Sequence, residues 1–142
     1  MLERTRDVSS GCSGENTLLD MKAIVAVNNL GFIGLGDKLL WHNADDLKHF
    51  KQMTLNSRCL VGYRTAEGLP PLKNRELVVD QRGVFDITCD WCIGGKKTYE
   101  KYAPYITELH ISHIDDNQIG DVVFPDFSKL NPECKIFNYY FG

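Results

Sequence analysis

Short, nearly uncharged runs alternate along this chain with stretches in which apolar residues recur every three or four positions. The first run, Lys22-Ala23-Ile24-Val25-Ala26-Val27, carries no charge after Lys22. That is the pattern of a strand buried on both faces, as in a mostly parallel sheet. Residues 28–42 read as a loop punctuated by Gly31, Gly34 and Gly36, positions where backbone can turn tightly or lie close to a ligand. A helix is predicted from Asn43, a good N-cap, to Thr54. Asp45 and Asp46 fall in its first turn, where the helix dipole favours negative charge. Asp46, Leu47 and Phe50 share one face of it. A carboxylate beside apolar groups is costly unless it meets a partner, so Asp46 is a candidate functional acid as well as a simple helix cap.

The same alternation continues. Strands are predicted at 58–61, 76–80, 91–93, 108–114 and 135–141, and helices at 65–68 and 96–102. Residues 69–75 are a proline-containing turn, and 81–90 lack a helical period. In the strand Glu108 to Ile114, Leu109, Ile111 and His113 fall on one face, and His110, Ser112 and Ile114 on the other. Two strand-to-helix turns, Gly62-Tyr63-Arg64-Thr65 and Gly94-Gly95-Lys96-Lys97, pair glycine with basic residues and are candidate anion sites; ordinary turns with solvated charges have the same composition. The whole reads as an α/β fold: a central mixed, mostly parallel twisted sheet flanked by helices.

Composition narrows the function. With 142 residues, 43% of them apolar and 25% charged, one domain with a real core is expected. The net charge of −3 gives no positive blanket for nucleic acid. No apolar stretch approaches the roughly 20 residues of a membrane span. The segment MLERTRDVSS lacks the apolar run of a secretory signal, so a cytoplasmic protein is expected. Residues 1–20 read as a flexible leader and 21–142 as the domain. Cys89-x-x-Cys92 with His110-x-x-His113 offers zinc-ligand types, but residues three apart on a strand point to opposite faces, so no metal site is assigned. The same cysteine pair runs into a strand rather than opening a helix, against a redox role.

Taken together, Ala26, Ile33-Gly34, Trp41, Asp46-Leu47, Phe50-Lys51 and Thr54 form a pattern that resembles the dihydrofolate reductase family. It continues through Val61-Gly62, Thr65, Pro71 to Arg75, Ile93-Gly94-Gly95, Tyr99-Glu100, Ser112-His113-Ile114-Asp115, Gly120-Asp121 and Phe124-Pro125-Asp126. The resemblance implies NADPH-dependent reduction of 7,8-dihydrofolate to tetrahydrofolate, in support of one-carbon and thymidylate metabolism. It implies a monomer whose partners are small molecules. It makes Asp46 the active-site acid, Ser112 the hydroxyl that hydrogen-bonds it, and Trp41 the residue that orders a nearby water. Ile24, Leu47, Phe50 and Ile93 become walls of the substrate pocket, and Arg75 the partner of the substrate's α-carboxylate, a task suited to guanidinium. Ala26, Ile33, Gly34 and Leu39 fall on the nicotinamide side. Gly62, Arg64, Thr65, Gly94, Gly95, Lys96, Lys97, Thr98 and Tyr99 fall along the rest of the cofactor.

The chain also departs from the family pattern. Only 17 residues lie between Arg75 and Ile93, which trims the part that flanks the cofactor's adenosine. Tyr63 stands where many members carry a basic residue, Lys96 replaces a glycine and Leu40 replaces a proline. One strand, rather than a hairpin, follows residue 130. These departures define the alternatives: a non-catalytic relative kept for ligand binding or as a structural component, or a reductase of a different pterin or pyrimidine.

Overall fold

The computed structural model describes residues 21–34, 43–68, 72–83 and 87–142. The leader 1–20, and with it Leu39 and Trp41 of the site prediction, lie outside the described residues. The strands are β1 (Met21–Asn28), β2 (Phe32–Gly34), β3 (Arg58–Val61), β4 (Glu76–Val79), β5 (Trp91–Cys92), β6 (Ile106–Ile114), β7 (Val122–Val123) and β8 (Lys135–Phe141). The helices are α1 (Ala44–Thr54), α2 (Tyr63–Gly68) and α3 (Lys96–Tyr102), the last followed by a 3₁₀ turn at Ala103–Tyr105.

Six strands form one sheet in the order β4-β3-β5-β1-β6-β8. Every pairing in it is parallel, so the expected mostly parallel sheet is present and the only antiparallel pairing described is the separate β2–β7 ribbon. Parallel neighbours need crossovers, and α1, α2 and α3 supply them on the way to β3, β4 and β6.

The uncharged run of β1 is explained by burial on both sides. Met21, Ala23 and Val25 meet Leu60, Cys92, Leu109 and the α3 tyrosines Tyr99 and Tyr102 on one face. On the other, Ile24 meets Cys59, Val61, Trp91 and Ile93, against which Phe50 and Met53 of α1 pack. The two cysteine and histidine pairs are separated accordingly. Cys89 and Cys92 lie in the α3-side core, while the His110 ring sits against Trp91 on the α1 side. Burial pushes the Cys92 thiol up to about 12, so it is a packed apolar group rather than a thiolate.

Candidate active site

Strand order locates the site. From β1 the chain crosses to β3 on one flank of the sheet; from β5, beside β1, it crosses to β6 on the other. Connections that leave neighbouring strands in opposite directions open a crevice at their carboxyl ends, where α/β sheets bind ligands. Ala26 of β1, Ser112 of β6 and Gly94 just past β5 stand at that end, and Ala26 and Ser112 are register partners.

The start of α1 faces this crevice. Asn43 is the N-cap, and its Oδ1 accepts the Asp46 backbone N–H at 2.9 Å. This capping bond sets the first turn and puts Asp46 on the inner face, 7% exposed, while its neighbour Asp45 is in solvent. Asp45 thus stays in solvent near the helix start while Asp46 is taken inside, on the same side as Phe50, as the helical spacing predicts. Ser112 is 1% exposed, yet its Oγ makes no hydrogen bond among the described residues. The hydroxyl–carboxylate bond that the family resemblance implies is therefore not formed here; a buried hydroxyl in a mostly apolar crevice is left for another group.

His49 lies one helical turn beyond Asp46. Its ring packs against Tyr139 (centroids 4.2 Å apart) and Phe141 of β8. Burial lowers its pKa below the ordinary value, against the pull of Asp46, with His110 adding to the lowering. Below it, His110 stacks on Phe137 at 4.6 Å and bridges Tyr139 Oη and Glu108 Oε1, each at 3.0 Å. An aromatic and imidazole layer from α1, β6 and β8 thus closes one flank of the crevice.

Toward the other end of α1, Phe50 meets Arg75. Its guanidinium lies 5.9 Å from the Phe50 ring centroid. Nε donates to the Lys73 carbonyl at 3.0 Å, and Nη1 donates to Thr54 Oγ1 at 3.4 Å. These contacts aim the planar group and leave N–H donors over, since a guanidinium carries five. Phe50 is half-buried and packs on the buried Ile24 and Ile93, whereas Leu47, expected in the same wall, is 38% exposed. Asp46 and Phe50 thus follow one another by a helical turn along α1, and Arg75 lies over Phe50.

The two glycine turns come together on the far side of β5. The Gly62 N–H donates to the Gly94 carbonyl at 2.7 Å. A Cβ on Gly62 would sit 2.5 Å from Thr98 Oγ1, and one on Gly95 would sit 2.7 Å from Thr65 Oγ1. Gly94 has φ +126°, and the Gly94–Gly95 peptide is cis. Glycine is required here by close approach: the Thr98 and Thr65 hydroxyls take the space a Cβ on Gly62 or Gly95 would need, Gly94 and Thr98 are buried, and Arg64 is exposed beside them. Such a cradle fits the phosphates and ribose of a dinucleotide. Tyr99 takes a different place: its hydroxyl donates to the Ile24 carbonyl at 2.6 Å beneath the turn, fully buried. It braces the cradle from below.

Asn28 was not among the expected site residues. It is 5% exposed at the carboxyl end of β1 and ties β2 to the turn after β6. The signal was an Asn-Asn pair between an apolar run and Gly31, the composition of a side-chain-stabilised turn.

A parallel α/β sheet with an acid in its switch-point crevice and a glycine cradle beside it defines a nucleotide-dependent enzyme of the reductase type. The chain matches the family model for dihydrofolate reductase over residues 20–87 and 86–135. It is 26% identical to a dihydrofolate reductase of Buchnera aphidicola across 87% of each chain. It is 30% identical to the type 9 dihydrofolate reductase of Escherichia coli, over 73% of this chain and 75% of that one. With the type 3 enzyme of Salmonella typhimurium it shares 31% identity over 80% of this chain and 82% of its relative. Among solved structures, Enterococcus faecalis dihydrofolate reductase in complex with NADP(H) and RAB-propyl superposes with a TM-score of 0.68, at 26% identity over 78% of this chain and 80% of that one. The chain belongs to the dihydrofolate reductase family.

Proposed function

We propose that this protein catalyses the NADPH-dependent reduction of 7,8-dihydrofolate to 5,6,7,8-tetrahydrofolate, feeding one-carbon and thymidylate metabolism. The observation that carries the reading is the buried Asp46 at the head of the crevice, in line with Phe50 and Arg75 along α1. The Asp46 carboxylate holds the pterin 2-amino group and N3 and assists protonation at N5. Ser112 Oγ, buried without a partner among the described residues, is left to meet the substrate and the acid together. Trp41 orders the water beside them. Ile24, Leu47, Phe50 and Ile93 flank the pterin and aminobenzoate rings and exclude water. Arg75 receives the α-carboxylate through its remaining N–H groups.

Bound NADPH supplies the hydride. Ala26, Ile33, Gly34 and Leu39 hold the nicotinamide. Gly62, Thr65, Gly94, Gly95 and Thr98 form the paired turns that receive the pyrophosphate and ribose, with Arg64, Lys96 and Lys97 supplying positive charge. The protein acts as a monomer in the cytoplasm and takes no nucleic acid. Among the described residues no helix is long and apolar enough to cross a membrane.

The test is direct. Purified protein with dihydrofolate and NADPH should lose nicotinamide absorbance in proportion to protein, and more slowly with NADH. No loss with either cofactor favours the non-catalytic alternative. Turnover that does not depend on Arg75 favours another pterin or a pyrimidine.

A further inference from the structure

Asn28 uses all of its side-chain hydrogen-bonding capacity. Its Oδ1 accepts the Leu30 N–H at 3.1 Å and the Phe32 N–H at 3.0 Å. Its Nδ2 donates to Asp116 Oδ2 at 3.1 Å and to the Gln118 carbonyl at 2.7 Å. An amide has two donors and two acceptor lone pairs, so nothing is left unpaired. The residue sits two positions past Ala26, and the strand it feeds, β2, carries Ile33 and Gly34.

Ile33 of β2 packs against the α3-side core, and few other polar bonds among the described residues fix what these four bonds hold. β2 is three residues long and, among the described residues, pairs with the two-residue β7 alone. Gly31, at φ +89°, turns the chain between β1 and β2, and its carbonyl accepts the Phe124 N–H at 2.9 Å. The Asn29 N–H donates to the Asp116 carbonyl at 3.0 Å, and the Asn29 side chain bonds Asp115 and Asn117. Two isolated short strands are marginal by themselves. The buried amide bonds both the turn into β2 and the segment after β6, and the Asn29 side chain adds bonds from that turn to the same segment.

We infer that Asn28 is a positioning residue for the cofactor: it fixes β2, and through β2 the Ile33 and Gly34 backbone, at the nicotinamide side of the crevice. The inference rests on the NADPH reading above. An amide is specified because one end must accept two N–H groups while the other donates to a carboxylate and a carbonyl. A carboxylate at position 28 keeps the first pair of bonds and faces Asp116 and the Gln118 carbonyl with no donor.

The experiment compares wild type, Asn28→Ala, Asn28→Asp and Asp116→Ala. NADPH dissociation constants come from calorimetry, dihydrofolate KM from steady-state assays, and amide hydrogen exchange from the protein without ligand. For Asn28→Ala, exchange at Leu30 and Phe32 should accelerate and the NADPH Kd should rise on the order of tenfold, the scale of one lost net hydrogen bond. The dihydrofolate KM should move less than twofold. Asp116→Ala, which keeps the two Oδ1 bonds, should act in the same direction and less. For Asn28→Asp, NADPH affinity should fall as pH rises through the titration of the new carboxyl. Faster exchange with an unchanged NADPH Kd would reduce Asn28 to a structural role and overturn the inference. So would equal changes in NADPH Kd and dihydrofolate KM, or unchanged exchange. Wild type that binds no NADPH overturns the functional reading itself, and the wild-type arm identifies that failure separately.

Discussion

Tyr99 of α3 reaches through the core and donates its hydroxyl to the Ile24 carbonyl of β1 at 2.6 Å. β5 pairs with β1 only at Lys22 and Ala23, so the phenol takes up a carbonyl just beyond the end of that ladder. Burial holds the Tyr99 pKa well above the ordinary value, so the group stays a neutral donor. Tyr99→Phe should therefore cost about 1–3 kcal/mol of stability, the range for an orphaned buried acceptor. Urea unfolding measures it. A midpoint equal to wild type would show that the carbonyl finds another partner.

Asp46→Asn keeps the size and the capped backbone of α1, because the capping bond runs from the Asp46 N–H to Asn43 and does not involve the side chain. Turnover should fall by about 10²–10⁴-fold, the usual contribution of a general acid or base. The unfolding midpoint should change little. The defect should shrink at acid pH, where N5 is protonated without help. Near-normal turnover at neutral pH removes Asp46 from the chemistry.

Arg75→Lys separates charge from geometry. Lysine keeps one positive charge and loses the planar group that lies over Phe50 while Nε and Nη1 are bonded to Lys73 and Thr54. The dihydrofolate KM should rise about 10- to 100-fold, as for a lost charge-assisted hydrogen bond. NADPH binding should stay put. A substrate analogue lacking the glutamate should bind wild type and variant alike.

His49, Asp116 and Asp126 all have lowered folded pKa values and shape the acid side of the stability curve; the first two are separable by mutation. His49 has a folded pKa below its ordinary 6.5, chiefly from burial. The unfolded chain then binds more protons in the window below 6.5, so stability should decline as pH falls from 6.5 toward the folded pKa. His49→Gln should flatten that segment. Asp116 has a folded pKa below 3.8, lowered first by the Gln118 side-chain bond and also by Asn28. Its contribution is present above 3.8 and is lost as pH falls through the lower folded value. Asp116→Asn should flatten that lower limb and leave the His49 segment alone. Thermal melts across pH 3–8 test both signs.

Much of this protein was legible in its residue order. The uncharged run at 22–27 announced a two-sided strand because burial on both faces leaves no place for polar alternation. Asn43 followed by two aspartates announced the head of α1 because orphan N–H groups need a side-chain oxygen. β3, α3 and β8 lie within their predicted limits for similar reasons, since apolar run, glycine and helix period are local signals. β2 falls in a stretch whose sequence predicts loop, because three residues that take their structure from a distant β7 leave no periodicity to see.

The site divides along the same line. Residue types and spacing alone marked Asp46 as a candidate, along with both glycine turns. How deeply Asp46 is buried, at 7% exposed, was decided by the packing of α1 on the sheet. That Gly62 and Gly95 oppose Thr98 and Thr65 was decided by β3 and β5 lying side by side, although 32 positions separate the two strands' aligned residues Cys59 and Trp91. The missing Ser112–Asp46 bond and the four bonds of Asn28 belong to the tertiary structure for the same physical reason. A hydrogen bond is settled within a few tenths of an ångström, and only the packed chain brings groups from β1, α1 and β6 that close.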